Sequence, residues 1–159
     1  YYKTRAYKYV KTNIMMLYQM AMVEYEYAKA NNFPVRPFDV VTVYEITYNR
    51  HCVLSLYFDR YEYTGGAHGM TIRTSDSWNI ACSSPIRINQ EVLAEMEFFP
   101  YFENYETLVK ENFNPNNFYL NDRGVIIYFQ LYEIAPYASG IPEFLLPYGI
   151  GGAVRPRYC

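Results

Sequence analysis

The stretch Ser55-Leu-Tyr-Phe-Asp-Arg-Tyr-Glu-Tyr-Thr-Gly-Gly-Ala-His-Gly69 decides the fold. Leu54, Leu56 and Phe58 alternate with Tyr57, Tyr61 and Tyr63. That is the two-residue period of a strand with two unlike faces. Gly65 and Gly66 then offer a turn in which positive φ costs little. A third strand, Met70 to Ile80, is expected beyond the turn. On the other side, Phe38 to Tyr48 sets Val41 and Val43 against Val40, Tyr44 and Ile46. The short link Asn49-Arg50-His51 predicts a hairpin between these two strands. The centre of the chain is therefore an antiparallel sheet.

Upstream, Val10, Ile14, Leu17, Ala21 and Ala28 recur at helical steps, flanked by Tyr18, Met22 and Tyr25. The spacing predicts one long amphipathic helix from about Thr4 to Ala30. Asn31, Asn32, Pro34 and Pro37 end it. Helices of this kind pack across a sheet.

Downstream, Ile88, Val92 and Met96 predict a second helix over 86–96, and Tyr105 to Glu111 a further helical turn or two. Asn117–Leu120 and Val125–Tyr132 form a second hairpin around Asn121-Asp-Arg-Gly124. Past Ala135, Pro136, Pro142 and Pro147 exclude a helix, and Phe144-Leu-Leu146 reads as a last strand. The order of elements makes this an α+β protein: an antiparallel sheet of hairpins, with a long N-terminal helix and a second helix packed on one face. Residues 1–148 are expected to form one domain, and 149–159 an unassigned tail.

Tyrosine is the compositional anomaly. There are 20 Tyr against 10 Phe and a single Trp. A tyrosine ring packs like an apolar group while its hydroxyl stays polar, which suits a half-wet sheet face or a binding groove. The net charge of −2 supplies no electrostatic footprint for nucleic acid. Lys3, Arg5, Lys8 and Lys11 are spaced as the solvated face of a helix. No apolar run approaches the roughly 20 residues of a membrane span. The chain begins at Tyr1, so a processed or truncated product is expected.

Three cysteines, Cys52, Cys82 and Cys159, are too few and too scattered for a zinc module. In an oxidising compartment Cys52 with Cys82 is the pair to test first. The alternative is three reduced thiols.

His68, framed by glycines, is the best candidate for a general base or a lone metal ligand. Asp59, Glu62, Asp76, Glu133 and Glu143 are available partners, but no spacing selects among them. A catalytic reading would use His68 with Glu62 or Glu133. The plainer reading is a histidine hydrogen-bonded to its own loop, with Gly65, Gly66 and Gly69 as structural turn residues. Gly65-Gly66 lacks the ending and following helix of a phosphate loop. There is no Gly-x-Ser-x-Gly elbow, and His51 beside Cys52 is no dyad if both lie on a strand. With two histidines on separate segments, no metal centre or other cofactor is expected. Tyr61, Tyr63, Tyr132, Glu133 and Tyr137 remain as a tyrosine-lined, acidic candidate contact surface, on the expectation that Tyr128 and Tyr132 share a strand face.

Several segments resemble a bacterial extracytoplasmic domain shared by the lysozyme-sensing anti-sigma factor RsiV and the peptidoglycan deacetylase PdaC. They are Phe58-Asp-Arg-Tyr-Glu-Tyr-Thr-Gly-Gly-Ala-His-Gly69, Phe118-Tyr-Leu120, Val125-Ile-Ile-Tyr-Phe-Gln130, Tyr132-Glu-Ile-Ala-Pro-Tyr137, Gly140-Ile-Pro-Glu-Phe144 and Pro147-Tyr148. The resemblance implies a non-catalytic binding or sensing domain outside the cytoplasm, secreted or tethered at the surface. Its expected partner is a cell-wall glycan or a wall-directed protein such as lysozyme. The alternative is an envelope hydrolase built on His68. Ile80-Ala-Cys-Ser-Ser-Pro-Ile86 is abrupt where that family carries a longer stretch, and Met96-Glu97 is a second possible shortening.

Overall fold

The computed structural model describes residues 2–95 and 104–149. The joint at Met96-Glu97 and the tail beyond Gly149 lie outside the described residues. Helix α1 spans Tyr2–Ala30. Three long strands follow, β1 (Asp39–Arg50), β2 (Val53–Tyr63) and β3 (Met70–Asn79), and then the two-residue β4 (Ser84–Pro85). A 3-10 segment, Gln90–Glu95, precedes helix α2, Tyr105–Asn112. Strands β5 (Phe118–Leu120), β6 (Gly124–Tyr128) and β7 (Glu143–Pro147) close the chain. One sheet has the order β1-β2-β3-β4 and the other β5-β6-β7. The protein is α+β, as the order of elements predicted. No described helix is long and apolar enough to cross a membrane.

The chain divides into two compact units: residues 1–41 with 61–70, and residues 42–60 with 71–159. In the first unit, α1 ends in a left-handed cap. Asn32 adopts φ 54°, Asn32 N–H donates to Lys29 O, and Phe33 N–H donates to Ala28 O at 2.9 Å. This Schellman arrangement satisfies carbonyls that the helix leaves open. Tyr27 and Phe33 pack beside it, 6.1 Å apart. Leu17 and Ala28 are the buried residues of the predicted stripe.

The second unit holds the main core. All five residues of β6 are buried, which explains the unbroken apolar run Val-Ile-Ile. Parity splits the strand between two clusters. Val125 and Ile127 join Val109, Leu120, Phe129, Ile134 and Leu146 on one face. Ile126 and Tyr128 join Tyr119 on the other. Each large apolar side chain buried in this way contributes about 1.5–3 kcal/mol. Helix α2, where the sequence predicted only a further helical turn or two, supplies Tyr105 and Val109 to the first cluster and is the second helix of the fold.

Four local expectations are corrected. The described residues 86–95 are not an α-helix: Ile86 N–H still pairs with Ser77 O, and the Asn89 side chain caps a 3-10 turn by accepting from Glu91 N–H. Strand β6 stops at Tyr128 instead of reaching Tyr132. The first hairpin turns at His51 and Cys52, with φ of 51° and 54°, the twist that a two-residue turn between antiparallel strands requires. A single 3-10 turn, Tyr137–Ser139, also follows Pro136 despite the prolines around it.

Candidate functional site

In the first unit, the His68 turn is built by its glycines. Gly65 sits at φ 91°, where a side chain would be strained, and Arg36 Nη1 donates to its carbonyl at 2.8 Å. Gly69 is buried beneath the Tyr61 ring, and a Cβ there would lie 2.3 Å from that ring. Gly66 has ordinary room. His68 is exposed, and its Nδ1 lies 3.1 Å from Gly69 O. Glu62 accepts a hydrogen bond from Tyr9 at 3.3 Å. Tyr61 and Tyr63 are half-buried, and the Tyr61 ring has a structural task in covering Gly69.

In the second unit, Gln130 to Tyr137 forms a sharp corner. Glu133 Oε2 accepts from Gln130 N–H at 2.7 Å, and Glu133 N–H donates to Gln130 O at 3.2 Å. Tyr132 takes a left-handed backbone, φ 70°, which lifts its side chain to 53% exposure. Its ring lies 5.7 Å from that of Tyr137. Tyr132, Glu133 and Tyr137 are thus brought together. Tyr128 does not share their face: it is buried, with its hydroxyl 3.1 Å from Ser75 Oγ.

The same unit contains a charged centre that the sequence reading passed over. Arg73, on β3, is nearly buried and donates from Nε and Nη2 to both carboxylate oxygens of Asp59, at 2.7 and 2.6 Å. Its Nη1 donates to Glu143 on β7, and Tyr119 donates to the same oxygen at 3.0 Å. The guanidinium lies 3.9 Å from the Tyr57 ring centroid, a cation–π contact. Burial alone would lower the Arg73 pKa. The Asp59 hydrogen bonds and the charges of Asp59 and Glu143 outweigh burial and raise it. Burial, followed by a hydrogen bond to Glu45, pushes Tyr57 up to about 12. The Tyr57 hydroxyl donates to Glu45 at 2.5 Å. Asp59, Gln130 and Glu143 all stand in the segments that carry the family resemblance. Their common partner, Arg73, could have been sought from them.

Among the described residues no group of three or more acidic, Cys or His side chains could hold a metal ion. Cys52 is disulfide-bonded and Cys82 is free and exposed, so the Cys52–Cys82 pairing is not made. Cys52 also lies in the hairpin turn, so strand parity is not what separates it from His51.

Residues 3–71 match the family described as Deacetylase PdaC. Residues 87–149 match the family described as Protein of unknown function (DUF3298). No curated protein matches the chain. Among solved structures, a DUF3298-family member from Bacteroides fragilis is similar with a TM-score of 0.64 and 18% identity, over 93% of this chain and 69% of that one. A DUF3298-family protein from Pseudomonas aeruginosa is similar with a TM-score of 0.52 and 19% identity, over 76% of this chain and 64% of that one. At these identities the likeness is one of fold. Arg73 falls between the two matched segments, while its partners Asp59 and Glu143 fall within them. The chain thus joins a segment matching the PdaC family to one matching the DUF3298 family, the uncharacterised shared domain that the quoted segments resemble.

Proposed function

We propose that this chain is a non-catalytic binding domain acting outside the cytoplasm, and that its ligand is a cell-wall glycan held at the Tyr132–Tyr137 corner. The carrying observation is the exposed, left-handed Tyr132 beside Tyr137, with Glu133 anchored between them. A non-glycine residue with positive φ is strained, and such strain tends to persist where it aims a side chain. Paired tyrosine rings stack on the apolar face of a sugar while a carboxylate accepts its hydroxyl protons. The disulfide at Cys52 supports an oxidising location, and the match of residues 3–71 to the PdaC family supports a wall setting. Tyr61 and Tyr63 are a second aromatic pair, assigned here to ligand contact as well. In the hydrolase alternative, His68 would have to act with Glu62, already bonded to Tyr9, or with Glu133, already bonded to Gln130 N–H.

The test is co-sedimentation with insoluble peptidoglycan. Wild type should pellet saturably. A Tyr132→Ala/Tyr137→Ala variant should bind about tenfold more weakly or worse, a loss of about 1.4 kcal/mol, with its melting temperature kept. Tyr61→Ala and Tyr63→Ala are compared separately. Full retention of binding by the corner variant would discard the corner. Absence of pelleting by wild type would discard the glycan and make a wall-directed protein such as lysozyme the next ligand to try.

A further inference from the structure

A cavity of about 270 Å³ opens beside β3 and β4, entirely within the second unit and apart from the tyrosine corner. Trp78, the single tryptophan of the chain, lines it together with Asp76, Pro85, Arg87, Pro115 and Asn116. Its walls are held in place. Trp78 pairs with Pro85 across the β3–β4 ladder. The next residue, Ile86, donates its N–H to Ser77 O at 2.8 Å. The loop opposite is pinned at Asn116, whose N–H and side-chain amide both donate to Asn114 Oδ1, at 3.0 and 3.2 Å. Asn117 N–H closes the same turn on Asn114 O at 2.9 Å.

A pocket of this size, with Trp78 and Phe118 as its aromatic walls and Ser75, Asp76, Ser77, Arg87 and Asn116 as its polar groups, takes one small polar ring better than an extended chain. Indole offers the flat π face on which the C–H groups of a pyranose pack. Asp76 accepts hydroxyl protons, and the Asn116 amide donates as well as accepts. Arg87 is exposed and has no ion-pair partner among the described residues. Its forked guanidinium matches a carboxylate with two parallel hydrogen bonds.

We infer that this pocket is a saccharide subsite that takes a pyranose ring carrying a carboxylate, with Trp78 stacking on the ring and Arg87 pairing with the acid group. The subsite is independent of the tyrosine corner.

Because Trp78 is the only tryptophan, its emission reads this pocket alone. The full chain is titrated with the N-acetylglucosamine–N-acetylmuramic acid disaccharide and with the neutral N,N′-diacetylchitobiose. The acidic sugar should give a saturable change, and the neutral one should bind at least about tenfold more weakly. Arg87→Gln, at an exposed position, should fold normally and erase the difference. The Tyr132→Ala/Tyr137→Ala variant should keep the full Trp78 response. Full pelleting by that variant would sink the corner and leave the subsite standing, because the Trp78 response is read separately. A missing saturable response, equal affinity for the two sugars, or an acid preference that survives Arg87→Gln would each overturn the subsite.

Discussion

At the scale of single residues, Arg73 is where the structure stakes most. Its side chain is 10% exposed and that of Asp59 19%. Removing ions this far from water costs several kcal/mol each, which only close pairing and full hydrogen bonding offset. The pairing is close: both Asp59 oxygens and Glu143 are engaged. Arg73→Ala would leave two carboxylates facing each other beneath aromatic rings. We expect a loss of about 3 kcal/mol, the low end of the range for a broken buried pair, because Glu143 is 39% exposed. Urea unfolding measures it, and a loss below about 1 kcal/mol would place the pair with surface salt bridges. Arg73→Lys should recover little, since an ammonium cannot make the two-pronged contact. Sequence pattern alone does not find this residue. An arginine between Ile72 and Thr74 reads as a solvated strand position, and no spacing selects its partner among the 16 acidic residues. The convergence of β2, β3 and β7 distinguishes Asp59 and Glu143, and that convergence has no signature in spacing.

At the scale of elements, β3 carries a problem of its own. Its neighbour β4 is two residues long and pairs only with Trp78 and Asn79. Gln130 meets part of the exposed ladder. Its amide accepts from Arg73 N–H at 3.0 Å and donates to Arg73 O at 2.8 Å, standing in for a strand neighbour. Gln130→Leu keeps the bulk and removes both partners. It should cost about 1–3 kcal/mol for each backbone group left buried without water, and speed hydrogen exchange at the Arg73 amide. Unchanged exchange there would show that the amide is not protected by Gln130. Elements were legible where a period ran long: α1, β1, β2 and β3 all lie where the pattern put them. The 86–96 segment shows how a period misleads. Ile88 and Val92 are buried as a helical stripe demands, yet Asn89 turns the chain into a 3-10 segment. The spacing reported burial, and conformation was decided by a side-chain cap. In the same way, the Tyr128–Tyr132 face was lost because Gln130 and Glu133 fold the backbone into a corner. No alternation pattern encodes that.

At the scale of the molecule, tyrosine chemistry ties packing to pH. Several of the 20 tyrosines are core material: the Tyr119 ring lies 5.2 Å from Tyr57 and 6.3 Å from Tyr128. Burial is the leading cause that raises Tyr57, Tyr128 and Tyr148 to about 12, and it raises Tyr119 as well. In the unfolded chain a phenol ionises near 10. The folded state therefore holds these protons where the unfolded state releases them. Their contribution to stability is whole below pH about 10 and is lost as pH rises towards about 12. We expect the melting temperature to fall steeply over that window, with ultraviolet absorbance of tyrosinate rising in two stages. The buried set should ionise in the later stage, together with unfolding. Tyr128→Phe removes a titrating group that is 1% exposed and should flatten the alkaline fall, although it gives up the contact with Ser75. A single absorbance stage near pH 10 with the fold intact would mean that water reaches these hydroxyls. The same stage would undercut the packed Arg73 centre, because Tyr57, Tyr119 and Tyr128 are the rings that enclose it.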